Sequence, residues 1–472
     1  MDSDLCYASA RELAGWLRRR ELSAVEVVRA HLDRIERLNP KVNAIVTLVA
    51  EQALDAAHAA DKRLADGVEP GPLHGIPMAH KDTHDTAGIR TTYGSPLLAE
   101  NVPARDELVI ERLKAAGVIT LGKTNVPEFA AGSHTVNPVF GATRNPYDLG
   151  KSAGGSSGGA AAALACGMHP LADGSDMGGS LRNPASFCNV VGFRPSPGRV
   201  PTWPDPAAWQ TLAVQGPMAR TVSDAALLLS VLAGPDPRSP QSISEPGSIF
   251  AAPLERDLRG LRVAWSPDLG GTVPVDRAVR DVLERAVHVF SDLGAIVTVD
   301  CPDLFGAEQV FRTLRAWYFA LGLGPLLAHR DHMKPTLVAN IEEGLRLTGD
   351  DIAEAEVLHT NLFHRVREFF ERYDILLLPV SQVPPFDIDL DYPEEIAGEP
   401  MHTYLDWMRS AYFISATGCP ALSVPGGFTT AWLPVGLQIV GPHRCDRLVL
   451  EVGHAFEQAT GFATVRPTLA TR

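Results

Sequence analysis

The residues that could do chemistry lie in two glycine–serine runs and at one lysine. The first run is GKSAGGSSGGAAAALACG, residues 150–167, and it leads to a second at Gly178, Gly179 and Ser180. Gly–Ser runs are commonly flexible linkers, because ordering them costs backbone entropy and buries little apolar surface. A linker, however, separates two self-contained patterns. Here the serines run straight into an alanine-rich helix candidate, a turn and the second run, which argues for close backbone approach around a site. Lys81 follows the mostly apolar stretch GIPMAH. A serine hydroxyl is a weak nucleophile and needs a base. A lysine is that base only when neutral. From a free pKa of about 10.4 it must be brought down to near 7, at a cost of about 4 kcal/mol. Alone, such a lysine reads as a solvated loop residue.

Three other patterns carry less. GVITLGKT, residues 117–124, has the letters of a phosphate-binding loop. That loop needs a strand before its first glycine and a helix after the threonine. Here the strand falls inside the match and NVPEF follows it. GGSSG, residues 154–158, has the letters of a nucleophile elbow, which sits between a strand and a helix. NPYDLGKSA before it is a poor strand. His74, His80 and His84 with Asp82 and Asp85 match no common metal-ligand spacing, so satisfied polar loop histidines are expected and no metal.

The elements that must position these residues alternate. Ser23 and Glu26 form a capping box for a helix carrying Val28, Leu32, Ile35 and Leu38, with Pro40 after its stop. A second, alanine-rich helix is expected around 50–66. HGIPMAHKD reads as a short strand entering a loop, residues 107–116 as a helix and GVITLGKTN as a strand. Further on, LRGLRVAWSP, GAIVTVD, DILLLPV and LPVGLQIVG are strand-like. Helices are expected between them at roughly 276–292, 306–331 and 351–372. This alternation predicts an α/β fold with one sheet covered by helices on both faces. The proline-rich stretch 234–253 reads as a surface loop, not a domain boundary.

Composition bounds the rest. The chain has 472 residues, 45% hydrophobic and 21% charged, which is ordinary for a globular protein. Its 42 basic and 56 acidic residues give a net charge of −14, which disfavours nucleic acid or an anionic membrane as partner. The six cysteines, Cys6, Cys166, Cys188, Cys301, Cys419 and Cys445, form no CxxC pair and read as reduced, mostly buried thiols, so a cytoplasmic location is expected. Asp2 and Asp4 precede no apolar leader core, so no signal peptide is expected. Residues 410–443 carry no Asp, Glu, Lys or Arg. Repeated Gly and Pro there would break a membrane helix, and PALSVP and VGLQIVG read instead as strands buried on both faces.

The order of motifs resembles the amidase signature family over nearly the full chain. The matching segments include GPLHGIPMAHKD, GVITLGKTNVPEFAAGS, the long stretch from GATRNPYDLGKSAGGSSGG to GFRPSPGRVP, QGPMARTVSDAALLL and GCPALSVPGGF…LPVGLQIVGPH. The resemblance implies a single large mixed sheet with helices on both faces. It places an N-terminal helical segment at 1–66, the signature domain at 67–472 and a more variable helical or lid region at about 306–410. It implies a Ser-cisSer-Lys triad of Lys81, Ser156 and Ser180, the two serines 24 residues apart, with Ser156 after a cis peptide. Only with the serine runs and this resemblance does Lys81 read as a base. An oxyanion hole from the backbone amides of Met177, Gly178, Gly179 and Ser180 is implied too. Glycines suit that role because consecutive amides converge on one oxygen only with unusual backbone angles and no side chain in the way. Arg182 and Asp176 are expected to hold the loop rather than to react.

The implied reaction is amide hydrolysis through an acyl-enzyme on Ser180, with no cofactor or metal. Trp203 and Trp209, in the pocket wall, suggest an apolar or aryl amide; the same tryptophans are equally compatible with packing. Esters and carbamates pass through similar tetrahedral intermediates, and some members cleave urethane bonds. A small-molecule substrate is thus expected, with a monomer or homodimer as the assembly. The alternative is a glutaminase of the glutamyl-tRNA amidotransferase A type, which shares the signature. GRVPTWPDPAAW departs from the GRVSRYG stretch usual in that type.

Overall fold

Two capping boxes open the N-terminal helices of the computed structural model, which describes residues 5–471. Asp2, Asp4 and Arg472 lie outside the described residues. Ser9 and Glu12 cap helix Ala10–Arg18, and Ser23 and Glu26 cap helix Ala24–Val42. Each serine accepts the third helical amide while the glutamate reaches back to the cap amide, so two orphaned donors are satisfied. The second helix runs through Pro40 instead of stopping before it. One hydrogen bond in the last turn is lost, and the chain exits at Asn43, whose φ of 53° lets its amide reach Asn39 O at 2.7 Å. The Asp224 carboxylate receives the amides of Ala10 and Arg11 at 2.9 and 3.2 Å, tying the N-terminal helix to the core. Helix Ala50–Ala65 follows.

Strands β1 (Ile45–Leu48), β2 (Pro77–Lys81) and β3 (Ile119–Thr124) form a small sheet in the order β1-β3-β2, with β2 and β3 parallel. All five residues of β2 are buried, so the strand carries Lys81 inward, not into a solvated loop. The main sheet has eight strands. These are β4 (Leu171–Asp176), β5 (Val191–Arg194), β6 (Val214–Ala219), β7 (Arg262–Trp265), β8 (Ile296–Val299), β9 (Ile375–Pro379), β10 (Ala421–Phe428) and β11 (Pro434–Val440). Their order is β8-β7-β9-β11-β10-β5-β6-β4. β7 pairs in parallel with β8 and β9, and the other pairings are antiparallel. The sheet is therefore mixed.

Every residue of β9 and β11 is buried, which requires cover on both faces. Gly436 packs against Ser186 of helix Arg182–Phe187, while Ile439 and Leu422 pack on the opposite face against Gly453 of helix Asp446–Thr460. The α/β architecture is thus the one the alternation predicts. Residues 410–443 supply two of its central strands, and among the described residues no helix is long and apolar enough to cross a membrane. Among the described residues no disulfide joins any of the six cysteines, four of which are buried.

Two further expectations need correction, and one helix was not foreseen. The helix placed at 306–331 is α-helical only over Ala307–Leu323; a 3₁₀ segment, Gly324–His332, follows, with Pro325 in its first turn unable to donate an amide. A helix not foreseen, Pro335–Arg346, packs back on it. The poor strand NPYDLGKSA does pair: Asp148–Ser152 forms a two-stranded ribbon with Arg144–Asn145, outside the main sheet.

Candidate active site

Lys81 closes β2 beside β4. Its amide donates to Asp173 Oδ1 at 2.7 Å, and its Nζ donates to Ser156 Oγ at 2.8 Å and Ser175 Oγ at 2.9 Å. Asp173 and Ser175 lie two residues apart on β4, so both face Lys81. Burial pushes the Lys81 ammonium down from 10.5 to about 7, against the opposing pull of Asp176, Asp173 and Glu107. Asp173 itself stays ionised: burial would raise it, but His80, 2.5 Å away, His84 and the Lys81 amide hold it below the usual carboxylate range. His80 is therefore a buried strand residue, bonded to Asp173 and to Thr120, and not a loop histidine. His84 pairs with Glu107 at 2.9 Å.

The first serine run forms the floor. The Gly155–Ser156 peptide bond is cis. Gly154 takes a φ of +72°, and a Cβ there would stand 2.8 Å from Pro184 Cα, so only glycine fits. Helix Gly158–Ala165 is buried at every position; its alanines let neighbouring backbone come close. The Ser157 amide donates to the Ser180 carbonyl at 3.2 Å, joining the two runs. Ser156 is almost fully buried, whereas Ser180 is 9% exposed and opens, with Ser156, onto a cavity of about 460 Å³.

The second run is held by one carboxylate. Asp176 accepts the amides of Gly179 and Leu181 at 2.9 and 3.2 Å and the guanidinium of Arg182 at 2.9 and 3.0 Å; Arg194 lies 3.2 Å away. Burial would raise this carboxyl, but the two arginines hold it well below the usual range. Asp176 and Arg182 thus hold the loop, the part the sequence assigns them. The Gly179 amide is committed to Asp176, which leaves the amides of Met177, Gly178 and Ser180 without an acceptor among the described residues. Gly179 needs its φ of +115°, and a Cβ there would meet Asn183 at 2.6 Å.

The loop after Arg199 lines the cavity as expected, but through Thr202, Pro204, Asp205, Pro206 and Gln210. Trp203 and Trp209 are not among the lining residues. The guanidinium groups of Arg105 and Arg238 lie over the Trp203 ring, at 5.2 and 4.6 Å, and Trp209 is 76% exposed. The aromatic wall comes instead from Phe129, Phe311, Tyr318, Phe319 and Tyr404. Phe311, Tyr318 and Phe319 recur at helical spacing, a signal present in the sequence; Phe129, with a φ of 47°, leaves none. The phosphate-loop letters lead nowhere: Lys123 is buried and donates to His84 O and Thr86 Oγ1, and a 3₁₀ turn follows at Glu128–Ala130.

A mixed α/β sheet whose cleft joins a buried lysine–serine pair to a second, accessible serine defines a serine hydrolase acting on carbon–nitrogen bonds. The amidase family model matches residues 26–450, and this chain belongs to that family. It is 36% identical over 470 residues to an acylamidase of Rhodococcus erythropolis, covering 99% of this chain and 98% of that protein. It is also 36% identical over 497 residues to the glutamyl-tRNA(Gln) amidotransferase A-type protein of Carboxydothermus hydrogenoformans, covering 99% and 100%. Among solved structures, a bacterial aryl acylamidase of the amidase signature enzymes superposes with a TM-score of 0.93 at 30% identity, covering 99% of each chain. A 6-aminohexanoate cyclic dimer hydrolase superposes at 0.87 with 27% identity, covering 98% of this chain and 99% of that one.

Proposed function

We propose that the protein hydrolyses apolar and aryl amides through an acyl-enzyme on Ser180. The observation that carries this reading is a fully buried lysine, brought to about 7, within 2.8 Å of Ser156 Oγ in the cavity that Ser180 enters. Neutral Lys81 takes the Ser156 hydroxyl proton as Ser156 takes that of Ser180, and Ser180 Oγ bonds to the amide carbon. The free amides of Met177, Gly178 and Ser180 receive the developing oxyanion, with Gly179 shaping the turn. The relay then passes a proton to the leaving amine, the C–N bond breaks, and water enters by the same route to release the acid. The aromatic wall and a cavity of about 460 Å³ suit an aryl group. Esters and carbamates share the tetrahedral intermediate and belong to the same range. Residues 306–410, which supply most of that wall, form the substrate-selecting region over the signature domain.

Glutaminase activity is the second reading, on the likeness to the Carboxydothermus amidotransferase protein. One experiment separates them. Wild type, Ser180→Ala and Ser156→Ala are assayed on an aryl amide, a primary amide, an aryl ester, a dialkyl carbamate and glutamine. Cleavage of the aryl amide by wild type, with Ser180→Ala down about 10³-fold or more, is the expected result. Full activity in Ser180→Ala with none in Ser156→Ala would make Ser156 the nucleophile. Turnover of glutamine alone would favour the second reading.

A further inference from the structure

Helix Ala307–Leu323 presents one face to the cavity: Phe311, Arg315, Tyr318, Phe319 and Gly322 all line it. Among them stands a cation. Arg315 is 5% exposed, and its guanidinium donates to Asn340 Oδ1 and the Tyr404 hydroxyl and lies 4.1 Å from the Phe319 ring centroid. All of these partners are neutral, and among the described residues no carboxylate makes an ion pair with Arg315. Taking a guanidinium out of water is unfavourable unless an anion compensates it.

The other charges facing the cavity are accounted for. Asp176 is matched by Arg182 and Arg194. Glu107 is bonded by His84 and Gln215, and Asp85 by Tyr93. Asp205 accepts the Ala207 amide on the loop wall. Lys334, 5.8 Å from the Tyr404 ring centroid, is faced by the carboxylates of Asp391 and Glu128 and so supplies neither the missing anion nor a free cation at Arg315. The position is informative as well. Phe311 packs on Gly178, where a Cβ would stand 2.9 Å from its Cζ, and Arg315 follows one turn later, about 6 Å along the axis. The cation thus stands one helical turn from the loop that carries the nucleophile.

We infer, on the Ser180 reading of the site, that Arg315 binds a carboxylate carried by the substrate, so that the preferred amides bear an anionic end beyond their aryl or alkyl body. The planar guanidinium, fixed on two sides by Asn340 and Tyr404 and stacked on Phe319, is preorganised for that group. Asn340 and Tyr404 orient Arg315 and are positioning residues.

The test uses three 4-nitroanilides at low salt: butyryl, which is neutral, and succinyl and glutaryl, each with a free carboxylate. Wild type should favour one of the carboxylated pair by about tenfold or more in kcat/KM. Arg315→Gln should collapse that ratio by raising KM for the carboxylated anilides more than for the butyryl anilide, and Arg315→Lys should restore part of it. Equal losses on all three substrates would reduce Arg315 to packing and overturn the inference, as would a wild type that prefers the neutral anilide. Calorimetric titration with glutarate reads the same group without turnover: binding to wild type, lost in Arg315→Gln, supports the site, and no binding to wild type overturns it. Glutarate binding with no cleavage of any anilide would sink the Ser180 reading alone. The wild-type measurements decide the matter even if a variant fails to fold.

Discussion

The floor of the cleft and its helical wall are built on opposite terms. On the floor, polar groups are buried and tied. Asp176 gathers two arginines and two amides, Asp173 holds the Lys81 amide and His80, and Ser157 clasps Ser180. The wall has its own small apolar cluster of Ala131, Phe319, Met333, Leu337, Val338 and Ile341, separate from the main core. It also leaves Leu321 and Leu345 about half exposed, at 46% and 59%. Fixed dipoles serve transition-state stabilisation, which demands geometry set before the substrate arrives. Apolar contacts serve selection, which tolerates adjustment.

Breaking the floor should hurt most. Asp176→Ala leaves two buried guanidinium groups without their carboxylate and should destabilise the fold by about 3–5 kcal/mol, read as a shift in the denaturation midpoint. A loss under about 1 kcal/mol would mean that the floor is not held as described. The wall should yield more gently. Leu337, fully buried in the small cluster, should cost about 2–3 kcal/mol on Leu337→Ala, near the low end for a core leucine, and should raise KM for an aryl amide more than it lowers kcat. A fall in kcat with KM unchanged would contradict the division of labour. The gentlest probe is pH. Lys81 is depressed to about 7, so its free base grows as pH rises through 7, and kcat/KM should climb with an acid limb centred there. A limb near 10 would mean a solvated lysine. Both wall variants, Leu337→Ala and Arg315→Gln, should leave that limb where it is.

Much of the fold was legible because periodicity reports burial. The charge-free runs PALSVP and VGLQIVG read as doubly buried strands and are β10 and β11, and the Ser23–Glu26 box fixed a helix start. Stops were harder. Pro40 is tolerated in a last turn that Asn43 closes, and helix Pro335–Arg346 was missed although Leu337, Val338, Ile341 and Leu345 recur at helical spacing behind a proline that opens it. At the site, the two serine runs pointed to close backbone approach, and the resemblance of the motif order to a known family supplied the triad. Ser175 was missed, although strand alternation in LADGSD sets it on the face of Asp173. Trp203 and Trp209 misled because an aromatic residue in a loop says nothing about which way it turns; cation stacking took one outward and solvent the other. Arg315 carried no sequence signal apart from its spacing from Phe311, since a lone arginine on a helix is usually solvated.

The satellite cluster has a consequence for how changes in the wall reach the nucleophile. Met177, next to Ser180 in its loop, packs against both this cluster and the main core, so repacking Leu337, Val338 or Phe319 has one direct contact through which to reach the site. Changes in this module are therefore expected to be read at the Ser180 loop through Met177 before they reach the sheet.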